Sequence, residues 1–219
     1  MTTKIKHHLT DALLMGYSAG TLPEAFNLIV ATHISMCDEC RARLASFDAV
    51  GGELVLSSGS VAMDDGSLTT VMNRIKTGAP VPEVKAKKMR DTDAVFPLPL
   101  QQYVSGDLDA VNWRYVGGGV SQAILKTSDA ATARLLRIRA GAAVPDHGHN
   151  GTELTLVLKG AFCDETDRFA SGDIEVADED LNHTPVAESG EDCICLAVTD
   201  APLRFNRLIP RIAQRFMRI

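Results

Sequence analysis

The sequence predicts an α+β chain of more than one domain: a small helical bundle stabilised by a metal ion, followed by an all-β barrel. Three observations predict it. Up to about residue 76 apolar residues recur at helical spacing, whereas from about residue 96 they alternate with a period of two. A Pro- and Lys-rich stretch with no period lies between. Each half also carries histidines grouped with cysteines or a carboxylate at ligand-like spacing.

The 219 residues are 45% apolar and 23% charged, with a net charge of −6. That mix excludes disorder, collagen and a disulfide scaffold as overall classes. It also shows no basic face at the level of the whole chain. The first 76 residues hold six Lys/Arg against eight Asp/Glu, so attraction to phosphate is weak and direct nucleic-acid binding is not expected. The apolar stretch from Leu9 to Thr32 is broken by Asp11, Pro23 and Glu24. It fits neither a bilayer span nor a signal segment, so no membrane partner and a cytoplasmic location are expected. Five cysteines, an odd and low number, point to metal or redox use rather than a secreted framework.

In the helical part, residues 1–76, Thr10 is expected to cap a short helix carrying Leu13, Leu14 and Tyr17. Thr21, Pro23 and Glu24 read as the start of a second helix, with Thr21 at the N-cap and Glu24 at N3. Phe26, Ile29, Val30 and His33 then share one face. A third helix runs from Cys37 to about Val50 and buries Leu44 and Phe47, with Gly51-Gly52 and Ser57-Ser58-Gly59-Ser60 as breaks. The fourth starts near Asp65 or Ser67 and carries Leu68, Val71, Met72 and Ile75. Its apolar stripe suits either completion of the small core or docking on a partner.

Residues 77–95, with Pro80, Pro82 and the basic run Lys85, Lys87, Lys88 and Arg90, read as a solvated linker. Residues 96–219 form the β domain. Its strands are expected around Arg134 to Ala140, Leu154 to Leu158, Ile174 and Val176, Cys193 to Val198, and Leu203 with Phe205. Gly117-Gly118-Gly119 and Ser171-Gly172-Asp173 punctuate them. The acid-rich segment 164–192 reads as a solvated face, and Arg204, Arg207, Arg211, Arg215 and Arg218 make a basic tail.

His33-x3-Cys37-x2-Cys40 supplies three ligands of the kind zinc prefers, on one side of a helix or a helix–helix turn. A fourth ligand is needed to close a structural site. Outside the β domain the remaining histidines are His7 and His8, and either could reach back. Zinc would matter here because four short helices make a thin core. With its upstream histidine, this pattern resembles the zinc-binding anti-sigma domain. The resemblance implies zinc ligation by His8, His33, Cys37 and Cys40, and helices that wrap an extracytoplasmic-function sigma factor and block its binding to core RNA polymerase.

The second cluster is Gly141-x5-His147-x-His149-x3-Glu153-x6-Gly160, with His183 thirty residues on from Glu153. His147 and His149 share a face if the segment is a strand. Three imidazoles and a carboxylate suit several divalent metals. The segment resembles the first cupin motif at every signature position. The second motif is partial: Gly172 and His183 are present, but Asp178 and Asp180 replace Pro and Gly, and Ala187 replaces Asn. This implies a cupin β-barrel in which His147, His149, Glu153 and His183 bind zinc or another divalent transition metal.

The combination resembles the ChrR-type anti-sigma factors over about residues 5–205. It implies an inhibitor of an extracytoplasmic-function sigma factor, not an enzyme, whose helical domain inhibits alone and whose cupin domain is needed for release in response to singlet oxygen or related oxidants. The alternative is a metal-dependent cupin enzyme, a dioxygenase or isomerase, with an accessory zinc module. Cys193 and Cys195 share a strand face, where a disulfide would be strained; they read as core thiols rather than reactive ones.

Overall fold

The computed structural model describes residues 4–78 and 94–202 and the backbone of 204–205. The basic run Lys85, Lys87, Lys88 and Arg90, Leu203, and the tail arginines Arg207, Arg211, Arg215 and Arg218 lie outside the described residues.

Helix α1 (Asp11–Ser18) is capped by Thr10, whose hydroxyl oxygen accepts the Leu13 N–H at 3.3 Å. Helix α2 (Glu24–Met36) does not use the expected cap. Pro23 takes the N-cap position, and the Thr21 hydroxyl donates to the Gly16 carbonyl at 3.2 Å. The Glu24 carboxylate is drawn away from its own helix by two donors of the β domain, the Tyr103 hydroxyl at 2.9 Å and the Ser128 N–H at 2.7 Å. Helix α3 (Asp38–Ser57) runs straight through Gly51-Gly52, where a break is expected. Each glycine costs a helix interior about 1 kcal/mol relative to alanine, which an already nucleated helix tolerates. Helix α4 (Ser67–Thr77) carries the expected stripe and buries none of its residues.

Beyond residue 96 a helix precedes the strands, which the reading of period two did not provide for. This is α5 (Leu98–Val104), opened by Pro97 and Pro99 at positions where no N–H is missed. Among the described residues twelve strands follow: β1 (Arg114–Gly117), β2 (Val120–Ile124), β3 (Thr132–Ile138), β4 (His147–Gly148), β5 (Glu153–Lys159), β6 (Ala161–Cys163), β7 (Arg168–Ala170), β8 (Ile174–Ala177), β9 (Asn182–His183), β10 (Val186–Ala187), β11 (Cys193–Thr199) and β12 (Arg204–Phe205).

Every pairing is antiparallel. The strands form one six-stranded sheet, β1-β2-β3-β11-β5-β8, and two three-stranded sheets, β10-β6-β7 and β12-β4-β9. The expected barrel is therefore not closed among the described residues. Strands β4, β9, β10 and β12 are only two residues long, too short to carry continuous ladders around the cylinder.

The large sheet is buried on both faces. On its inner face Val120, Ile138, Val157, Cys193 and Cys195 pack against Phe162, Phe169 and Ala187 of the β10-β6-β7 sheet. On its outer face Leu135, Leu154, Leu156, Ile194, Leu196 and Val198 join one continuous core with Phe26, Ile29 and Val30 of α2 and Leu100 of α5. Helix α2 thus lies across β3, β5 and β11. Ile29 and Leu196 are fully buried, and each such side chain contributes about 1.5–3 kcal/mol. The helical part and the β part are not separate beads; they share a hydrophobic core.

Candidate metal centres

The first centre sits where α2 ends and α3 begins. Cys37 is both the last cap of α2 and the N-cap of α3, so its Sγ and that of Cys40, one turn on, turn to the same side. His33, one turn back on α2, and His8, in the segment before α1, complete the set. Their ligand atoms all lie within 4.8 Å of one another. His33 Nε2 is 3.3 Å from Cys40 Sγ, and His8 Nδ1 is 3.3 Å from Cys37 Sγ and 3.7 Å from Cys40 Sγ. A tetrahedral ion with sulfur at about 2.3 Å and nitrogen at about 2.05 Å has S···N edges of about 3.5 Å, so the donor set fits zinc. The structure brings His8 here. His7 turns the other way, its Nε2 3.1 Å from Asp167 Oδ2 and its ring tilted at 42° against Phe169 with centroids 4.4 Å apart.

Burial pushes the Cys40 thiol up to about 11, and burial with His8 nearby lowers His33 to about 4. Both effects favour neutral, protein-only ligands that a cation would convert to a bound thiolate and a bound imidazole. His8 Nε2 is steered by Glu39 Oε2 at 3.3 Å. His33 Nδ1 is buried without a hydrogen-bond partner, and the Gly172 backbone and Asp173 carboxylate of the β7–β8 turn partly offset its lowered pKa.

The same β7–β8 turn clasps the segment before α1. Asp173 Oδ1 accepts the N–H groups of Lys6 at 2.6 Å and His7 at 3.0 Å, while Oδ2 accepts that of Ala170 at 2.9 Å. The Ile174 N–H donates to the His7 carbonyl at 3.4 Å. Gly172 has φ +94°, and a Cβ there would fall 2.6 Å from Ile5 Cδ1, so only glycine lets the segment before His8 lie so close. The β7–β8 turn therefore grips the segment that carries a ligand of the first centre. Sequence reasoning missed this role, because Ser171-Gly172-Asp173 signals only a turn.

The second centre lies on the inner face of the β domain. His147 on β4 is paired with His183 on β9, and their Nε2 atoms are 3.2 Å apart. Ligand nitrogens of a tetrahedral zinc are about 3.3 Å apart. His149 completes the group, and the ligand atoms of the three lie within 4.8 Å of one another. Acceptors at the outer nitrogens of His147 and His183 turn Nε2 of each ring toward the centre, where an ion would displace any proton it carries. His147 Nδ1 donates to the Pro145 carbonyl at 2.8 Å, and His183 Nδ1 faces Asp164 Oδ2 at 2.9 Å and Glu175 Oε1 at 3.1 Å.

Glu153, expected as the fourth ligand, is not within that mutual group. It is close to it: Oε2 is 3.7 Å from His149 Nδ1, and Oε1 accepts the Thr155 hydroxyl at 3.2 Å. Burial raises its pKa, with Arg134 and His183 opposing. Burial with a neighbouring His183 lowers His147 to about 4. Burial alone would lower His183 as well, but Glu175 and Asp164 outweigh it and push it up to about 9.

Asp164, Glu175 and Asp173 correct the reading of segment 164–192 as a solvated face. The Asp164 side chain is fully covered, and Asp173 and Glu175 are buried. The alternation Ile174, Glu175, Val176 was the available signal, since it turns Glu175 inward whenever Ile174 packs outward. Cys193 and Cys195 are free and buried on the inner face, with sulfurs 3.6 Å apart. Hydrogen bonding to Cys193 together with burial holds Cys195 well above the ordinary thiol range, which suits a core thiol.

Comparison with known proteins places this geometry. A family model described as the ChrR cupin-like domain matches residues 101–202. Over 217 residues, 98% of its length, the chain is 58% identical to the anti-sigma-E factor ChrR of Cereibacter sphaeroides, and the match spans 99% of that protein. Among solved structures it is similar to the anti-sigma ChrR chain in complex with SigE from Rhodobacter sphaeroides. There the TM-score is 0.80 at 57% identity, covering 90% of this chain and 100% of that one.

Proposed function

Since the chain belongs to the ChrR family of anti-sigma factors, we propose that it binds an extracytoplasmic-function sigma factor and holds it away from core RNA polymerase, as a regulator and not an enzyme. The observation that carries this reading is similarity over nearly the whole length to an anti-sigma factor. The surface suited to the task is the far half of α3 and the whole of α4. Val55, Leu56, Leu68 and Ile75 are each more than two-thirds exposed, an amphipathic face of the kind that docks on a protein partner. This favours docking over core completion as the role of the α4 stripe.

Zinc held by His8, His33, Cys37 and Cys40 would lock α2, α3 and the segment before α1 into one shape, ready for that partner. The ion supplies cross-linking and no chemistry. Zinc or another divalent transition metal would be held by His147, His149 and His183, with Glu153 as the adjacent carboxylate. There it would make ligand side chains the point at which singlet oxygen or a related oxidant is read. A partner that works on RNA polymerase implies the cytoplasm. Among the described residues, no helix is long and apolar enough to cross a membrane.

The test uses the full chain and the extracytoplasmic-function sigma factors of its own genome. One of them should co-purify with it and lose promoter-dependent transcription when it is added. Leu68→Asp with Ile75→Asp should weaken the complex at least tenfold in a binding titration, because each places a charge at a desolvated contact. Failure of the wild-type chain to retain or inhibit any of them would overturn the reading.

A further inference from the structure

His7 stands outside both metal groups, yet three separate contacts hold it. Its N–H donates to Asp173 Oδ1 at 3.0 Å, its carbonyl accepts the Ile174 N–H at 3.4 Å, and its Nε2 lies 3.1 Å from Asp167 Oδ2. Its Nδ1 is buried and has no hydrogen-bond partner among the described residues. Asp167 therefore orients the ring, with Phe169 as the wall against it. The next residue is His8, whose Nδ1 is 3.3 Å from Cys37 Sγ. A histidine fixed at both backbone and ring decides where its neighbour can reach.

The groups that hold His7 lead back to the second centre by two routes. On the first, Asp164 uses both carboxylate oxygens. Its Oδ2 is 2.9 Å from His183 Nδ1. Its Oδ1 accepts the Thr166 N–H at 2.8 Å, the Thr166 hydroxyl at 2.6 Å and the Asp167 N–H at 3.1 Å. The Asp164 N–H closes the turn on the Asp167 carbonyl at 3.1 Å. One fully covered carboxylate thus ties His183 to the turn that presents Asp167. On the second route, Glu175 Oε1 is 3.1 Å from the same His183 Nδ1. Glu175 directly follows Asp173 and Ile174, the residues that bind the His7 backbone. Both acceptors at His183 Nδ1 therefore belong to elements that grip His7, the β6–β7 turn and the start of β8. A covered carboxylate has no water to turn to when its imidazole partner moves, so its turn must move with it.

We propose that His7 is a positioning residue that couples the two metal centres. The state of the group formed by His147, His149 and His183 sets, through Asp164, Asp167 and His7, how firmly His8 is held beside His33, Cys37 and Cys40. This deepens the regulatory reading and rests on it only for the two metals. It gives release a physical course: whatever displaces His183 loosens a ligand of the helical bundle. The coupling works by positioning alone, and by linkage it is reciprocal.

The test loads the full chain with cobalt(II). Its thiolate absorption reports the first centre alone, because the second group contains no cysteine. Metal content is assayed first, and the affinity of the first centre is read by competition with a chelator. His147→Ala removes a ligand of the second centre and leaves His183 and Asp164 in place. It should weaken the first centre by about fivefold or more. With His7→Ala or Asp167→Ala in the same chain, that difference should vanish. Asp167 is exposed, so its variant disturbs no core. His7→Gln, which keeps an N–H near the position of Nε2, should retain most of the difference. A merely structural His7 would weaken the first centre equally whether the second was filled or empty.

Three results would overturn the proposal: unchanged first-centre affinity in both His147→Ala and His183→Ala, an effect of full size with His7→Ala or Asp167→Ala in place, or no thiolate absorption in the wild type. If the wild type holds no cobalt in the second group, the metal reading of that group falls. His183→Ala, which removes the ring that Asp164 meets, then decides the coupling by the same comparison. Co-purification with a sigma factor tests the regulatory reading separately.

Discussion

At the scale of single residues, the first centre depends on side chains whose own environment works against them. Cys40 is fully buried, and without a cation it is a neutral thiol. Cys40→Ser removes the better ligand and keeps the volume. Zinc in comparable sites is worth about 10–16 kcal/mol of apparent binding energy, so this variant should lose tightly held zinc. Its effect on structure should be uneven. Helix α3 and the segment around His8 should lose amide protection, whereas α2 should keep it, because α2 has the sheet beneath it. Hydrogen exchange on metal-assayed protein would check this, and uniform protection in the variant would contradict it. His8 shows how far residues alone could be read. The spacing of His33, Cys37 and Cys40 was visible, but the choice between His7 and His8 turned on the β domain, where Asp167 and Phe169 occupy His7.

At the scale of elements, what was legible followed from period. The α4 stripe, the Thr10 cap and strands β3 and β8 announce themselves through spacing, and β5 and β11 as apolar runs. What was hidden followed from contacts that spacing does not carry. Glu24 looks like a capping-box residue and becomes a cross-domain anchor because Tyr103 and Ser128 offer better donors. Gly51-Gly52 looks like a break, yet α3 passes through it. The cupin histidines and their glycines were recognisable, but the carboxylates behind His183 were not, since an acid-rich run resembles a wet surface.

One further signal was present. Leu154 to Leu158 and Cys193 to Val198 are apolar almost without alternation, as strands are when both faces are covered. The cover is α2, and Ile29 is at its centre. Ile29→Ala should therefore cost about 2–5 kcal/mol. The loss should appear in a single denaturant transition reporting both helix and sheet, not in a helical transition alone. Two separated transitions with only the first displaced would show that the shared core does not couple them.

At the scale of the whole molecule, the clasp of the β7–β8 turn on residues 5–7 joins the two parts electrostatically as well as by packing. Burial alone would raise the Asp173 carboxyl. The N–H groups of Ala170, His7 and Lys6 outweigh it and hold the pKa below the usual range. A carboxyl depressed in the folded state stabilises it above its unfolded pKa, about 3.9. That contribution fades as pH falls through the folded value. The clasp should hold at pH 5 and open under acid, with the protection factors of the Lys6 and His7 amides falling below about pH 4. Amides that remain equally protected at pH 3 would show that packing of Ile5 against Gly172 suffices.

A large antiparallel sheet with an oily outer surface ordinarily looks for a twin, and back-to-back pairing is the usual answer to such exposure. Here one helix of the same polypeptide already roofs that surface, so self-association has nothing left to gain there. The apolar surface still open among the described residues is the stripe of α4, not the sheet.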